Sequence, residues 1–149
     1  MLDQILKNRI QDFQAGRIQC AETVLITMAE YYGWDDPAIP RVATAFGGGM
    51  VGKQNACGAY TGGAMVIGML MGRDKPGGDR EPAVAACKAL RAFIYERCGG
   101  VDCRDIVGEM DFVAQREEFR GEGGKHQTVC EPLVEAVCRY LAATYPRSE

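Results

Sequence analysis

The chain contains seven cysteines and a single histidine, and these bound the chemistry open to it. In a reducing compartment, a thiol with a role beyond burial takes part in redox exchange or binds metal. Seven is odd, so the thiols cannot all pair within one chain. His126 is the one imidazole, so a Ser-His-Asp or Cys-His system could use only that residue.

Local context divides the cysteines. Cys130 follows Thr128, and Glu131 stands three residues after that threonine, a capping-box spacing with Pro132 still tolerable in the first turn. Asp102 precedes Cys103, with Asp105 three residues after the aspartate. Asn55 reads as the N-cap of a helix that holds Cys57 in its first turn, and Cys20 lies just before Ala21-Glu22-Thr23-Val24. Four cysteines are therefore expected near helix starts. Free backbone N–H groups and the macrodipole stabilise negative charge there and lower a thiol's pKa. Cys57, surrounded by glycine, is the expected attacking thiol, with Cys103 or Cys130 resolving. Cys87, beside Ala85, Ala86 and Leu90, and Cys138, on the stripe Val134–Cys138–Leu141, are expected as small buried hydrophobes. Cys98 falls at a helix C-terminus, where the dipole opposes a thiolate.

Helices must position these residues. Apolar residues at helical spacing predict a first helix from Leu2 to about Ala15 and a second from Ala21 to Tyr32, stopped by Gly33. Asp36-Pro37 predicts the start of a third, running to Phe46. A glycine loop, Gly47 to Gly52, leads to a fourth helix over Ala56–Met71. That helix carries Gly62, Gly63 and Gly68, each costing about 1 kcal/mol against alanine, so another backbone or a ligand is expected close by. Further helices are predicted over Glu81–Cys98, Cys103 to about Glu109, a turn or two within Phe112–Phe119, and Val129 to about Thr144. Arg120 to Lys125 reads as a polar loop. No segment alternates as a strand does. The expected fold is an all-α, single-domain bundle of about six to seven helices over residues 1–149, with disorder in the last few residues.

The whole chain agrees. Its 149 residues suit one domain that folds without disulfides. With 47% hydrophobic and 25% charged residues, and a net charge of −3 spread without a basic stripe, it reads as globular, with neither nucleic acid nor an anionic membrane surface as partner. The N-terminal residues lack the pattern of a signal peptide. The uncharged stretch from Gln54 to Gly72 reads as a buried helix with its leading loop, not a membrane span. The expected compartment is the cytoplasm.

The pattern Cys20-Ala-Glu-Thr-Val-Leu, Phe46-Gly-Gly-Gly-Met, Cys57-Gly-Ala-Tyr-Thr-Gly62, then Cys103 and Cys130 resembles the C_GCAxxG_C_C family of redox-active proteins, over about Phe13 to Cys138. The resemblance implies four hallmark cysteines, carried here by Cys20, Cys57, Cys103 and Cys130, a thiol–disulfide role, and genes often placed near transporter genes. Cys87, Cys98 and Cys138 lie outside that set.

Three functions remain open on these residues. The first is thiol–disulfide redox chemistry with an unknown redox partner, where one thiolate attacks and a second resolves. There is no Cys-x-x-Cys, so the chemistry is not thioredoxin-like. The second is a zinc, iron–sulfur or haem-type site on Cys20, Cys57, Cys103 and Cys130, although the only close pairs are Cys98-x4-Cys103 and His126-x3-Cys130, and a lone histidine in a polar loop is expected to be solvated. The third is a binding or assembly module with structural cysteines, in which the small-residue face of the Cys57 helix forms a cleft or a homodimer contact.

Overall fold

The computed structural model describes residues 1–148. The fold is all-α. Among the described residues there are seven α-helices and no strand. Five helices are long: α1 (Leu2–Gln14), α2 (Cys20–Tyr32), α3 (Gly58–Met71), α4 (Glu81–Cys98) and α7 (Glu131–Thr144). Two are single-turn pieces, α5 (Cys103–Val107) and α6 (Arg116–Arg120). The expected disorder at the C-terminus falls in part on Glu149, which lies outside the described residues.

Helix α2 is the axis of the bundle. Helices α1, α3 and α7 pack around it, and α4 closes the far side of α3. The fully buried side chains come from all five long helices, among them Leu6 and Phe13 from α1, Leu25 and Met28 from α2, Ile67 from α3, Leu90 and Ile94 from α4, and Leu141 from α7. Burying each contributes about 1.5–3 kcal/mol. Phe93 stacks on Tyr140 at 4.6 Å between α4 and α7, and the Tyr32 hydroxyl donates to the Tyr145 carbonyl at 2.6 Å.

The glycines of α3 explain how closely α2 and α3 lie. A methyl group on Gly58 would stand 2.6 Å from Cys20 Cβ, and one on Gly62 would stand 2.7 Å from the Ala21 carbonyl oxygen. Only glycine admits that approach. Gly63 faces Leu90, whereas Gly68 faces open space. The small residues are thus used mainly inside the chain, against α2 and α4.

Three predicted boundaries change. The stretch expected as a third α-helix is turns followed by a 3-10 helix over Arg41–Phe46. Asp36 does accept from the Ala38 N–H at 2.9 Å, but Pro40 has no N–H with which to continue an α-helical ladder. Helix α3 starts at Gly58, so Cys57 is its N-cap and Asn55 lies outside it. The last helix is preceded by a π-helical turn over His126–Cys130. The Glu131 N–H reaches back to the His126 carbonyl, and Pro132 has no N–H to offer Thr128.

Candidate functional site

Two paired segments hold Cys57 and Cys103. The Cys57 N–H donates to the Val101 carbonyl at 2.9 Å, and the Cys103 N–H donates to the Asn55 carbonyl at 2.7 Å. Ala56 and Asp102 form an isolated antiparallel bridge between those bonds. The glycine loop supports the pair from behind. Gly49 has φ +72° and accepts from the Asn55 N–H at 2.8 Å. A side chain there would stand 2.8 Å from Cys103 Cβ. Buried Gln54 completes the support. Its Nε2 donates to the Gly108 carbonyl at 2.7 Å and lies 3.8 Å from Cys103 Sγ, and its Oε1 accepts from the Met110 N–H at 2.9 Å.

The other two cysteines come from opposite ends of the chain. Cys20 is the first residue of α2, where the Gln19 N–H donates to Glu22 Oε1 at 2.9 Å. Cys130 ends the π turn. Together with Cys57 and Cys103 these two line one cavity of ≈ 380 Å³. The four cysteines singled out by spacing are therefore brought together. Cys87, Cys98 and Cys138 do not line it. All seven cysteines are free thiols. Among the described residues, no three His, Cys, Asp or Glu side chains gather closely enough to hold a metal ion.

The expected electrostatics do not hold for Cys57, Cys103 and Cys20. The N–H groups of Ala59 and Tyr60 do draw the Cys57 pKa down, but burial is the larger effect and pushes it far above the ordinary thiol value. Burial likewise raises Cys103 to about 11, against the opposing hydrogen bond from Gln54. A single turn such as α5 also carries little dipole. Cys20 is held well above its usual value, first by its interaction with Cys130 and then by burial. Outside the cavity, burial pushes core Cys138 up to about 12.

Two cavity residues lie outside the expected site set. His126, expected in a polar loop, is 3% exposed. Its ring lies between Phe13 and Phe119, with centroids at 4.2 and 5.5 Å. Nδ1 lies 3.2 Å from Glu131 Oε2, and Nε2 is buried with no hydrogen-bond partner. Burial and the nearby Arg120 lower its pKa, against Glu131. Glu131 therefore does not form the expected capping box. It holds His126 and accepts from Gln14 Nε2 at 2.7 Å, while the Thr128 hydroxyl turns back to the Gly124 carbonyl. The signal was present as the single histidine five residues before that glutamate.

Arg120 is the second. It closes α6, donates to Gln19 Oε1 at 3.2 Å, and lies within charge range of Cys20 and Cys130. Nothing in its polar sequence context marks it. A thiol cluster beside a half-buried guanidinium and a neutral-leaning imidazole can hold, attack or resolve a sulfur-bearing molecule.

No helix among the described residues is long and apolar enough to cross a membrane. No curated protein and no solved structure matches the chain significantly. A family model does match, over residues 18–144 and so across all four cavity cysteines, and the chain belongs to the family it describes, Putative redox-active protein (C_GCAxxG_C_C).

Proposed function

We propose that the protein performs thiol–disulfide exchange with a disulfide that enters the cavity. The observation that supports this reading is the convergence of Cys20, Cys57, Cys103 and Cys130, from four separate segments, on one cavity. Cys20 and Cys130 are half-buried whereas Cys57 and Cys103 are buried, so the more accessible pair opens the exchange, with Cys130 taken as the attacking sulfur. As a thiolate, Cys130 attacks one sulfur of R–S–S–R. The substrate S–S bond breaks, a mixed disulfide Cys130–S–S–R forms, and the released RS⁻ takes up a proton. Cys20 then gives up its proton and attacks Cys130 Sγ. A Cys20–Cys130 disulfide forms and the second RS⁻ leaves. Two protein thiols have lost two electrons, and one disulfide has become two thiols. An external thiol reductant restores the protein by the reverse exchange. Cys57 and Cys103, diagonal to each other on their paired segments, are the candidates for a second pair.

A second reading, a zinc, iron–sulfur or haem-type group at the same cysteines, has one observation in its favour. His126 Nε2, a metal-ligand atom type, is buried without a partner in the wall of the cavity. One experiment separates the readings. The anaerobically purified protein is assayed for metal and chromophore, then treated with a small aliphatic disulfide while thiols are counted. The exchange reading expects reversible loss of two thiols, or four, and a peptide linking Cys20 to Cys130. Seven persistent thiols would sink it. Stoichiometric metal or a cluster spectrum would favour the second reading.

A further inference from the structure

Charge around the cavity is one-sided. The chain has 20 acidic and 17 basic side chains, yet the only charged residues in the cavity wall are Arg116 and Arg120. Among the described residues neither arginine forms an ion pair with a carboxylate. Arg120 is half-buried, and its one side-chain acceptor is the neutral Gln19 amide. A guanidinium carries five N–H donors, and the one carboxylate within its charge range, Glu131, is engaged by Gln14 and His126 and makes no hydrogen bond to it.

The remaining groups point the same way. The rest of the wall is largely apolar, with Val107, Phe112 and Phe119 forming one side. Phe112 and Phe119 are themselves in contact, centroids 4.9 Å apart. A volume of ≈ 380 Å³ falls in the range of small-molecule sites, which combine apolar walls with a few polar groups that fix orientation.

We propose that the cavity binds a small organic anion, with an apolar or aromatic body against Phe112 and Phe119 and a carboxylate at Arg120. As an assignment of substrate class this rests on the exchange reading, the substrate then being a carboxylate-bearing disulfide or thiol. As an assignment of a binding site it does not.

The test uses probes without sulfur, so that binding and exchange are read separately. The reduced protein is titrated by calorimetry with 3-phenylpropionate and with its neutral amide, 3-phenylpropanamide. The acid is expected to bind about tenfold more tightly, the scale of one charge-assisted contact. Arg120→Gln should erase the preference and Arg120→Lys should keep part of it, with circular dichroism confirming the fold of both. Neither probe contains sulfur, so the preference is read without any exchange at the cysteines. Equal affinity for acid and amide, no saturable binding of either, or an acid preference unchanged in Arg120→Gln would overturn the proposal. Failure of thiol exchange with the acid preference intact would remove the exchange reading alone.

Discussion

Cys57 shows two electrostatic effects in competition. As the N-cap of α3 it receives the stabilisation expected from helix N–H groups, but at 8% exposure it loses more to desolvation. Reactivity in the reduced protein should follow access and burial, not helix position. With iodoacetamide at pH 7 and peptide mapping, Cys57 is expected to react more slowly than half-buried Cys87, the opposite of the order that spacing predicts. Equal rates would mean that the cavity opens on the reaction timescale. The four site cysteines were legible because each stands near a capping residue or a helix boundary. Their burial was not legible, since it depends on segments distant in sequence, such as Val101–Arg104 against Gln54–Cys57. His126 was misread for the same reason. The glycines and lysine before it signal a loop, whereas Phe13 and Phe119 come from elsewhere to cover it.

At the level of elements, the Cys-Gly-Ala-x-x-Gly block is a docking device as much as a chemical one. Cys57 supplies the sulfur, and Gly58 and Gly62 let α3 lie directly against the α2 backbone at Cys20 and Ala21. Gly62→Ala must push the helices apart and is expected to destabilise the fold by about 1–3 kcal/mol. Gly68→Ala, on the same helix but facing open space, should be neutral or stabilising by up to about 1 kcal/mol. Chemical denaturation of the two variants checks the contrast, and equal effects would show that helix propensity alone explains these glycines. The close approach was legible as a run of glycines that an isolated helix would not favour. Which helix approaches was not, because the spacing of glycines on one helix carries no information about its neighbour. The 3-10 piece at Arg41–Phe46 was missed because Asp36-Pro37 reads as a start, while Pro40 acts against its continuation.

For the whole molecule, buried thiols and a buried imidazole bracket the pH range of stability. Cys57, Cys103 and Cys138 hold their protons more tightly in the fold than in the unfolded chain, where thiols titrate near 9.0. The stability this contributes is complete below pH 9 and is lost as pH rises through about 11 for Cys103 and about 12 for Cys138. His126 has the opposite sign. Its folded pKa lies below the unfolded value of 6.5, so the unfolded chain binds the extra proton first and stability falls as pH drops below 6.5. Denaturation midpoints measured under reducing conditions should form a plateau between these limits, and a midpoint that stays flat to pH 11 would contradict the burial of the thiols. On the exchange reading, a Cys20–Cys130 bond would close a loop of roughly a hundred residues and stabilise the fold by about 4–5 kcal/mol. The oxidised protein should therefore melt at a clearly higher temperature than the reduced one in paired thermal scans. No gain would indicate a strained bond or a different pairing.

The π turn at His126–Cys130 gives the site a dependence on chain length that no side-chain substitution would reveal. A π turn is an α-helix carrying one surplus residue. Deleting Val129 would let the ladder close as an ordinary α-helix continuous with α7. The residues before the deletion would then rotate relative to α7 by about 100°. His126 and Cys130 could not both keep their present directions, although neither had been changed. The alignment of imidazole and thiol in this cavity is in that sense a matter of counting residues along the turn.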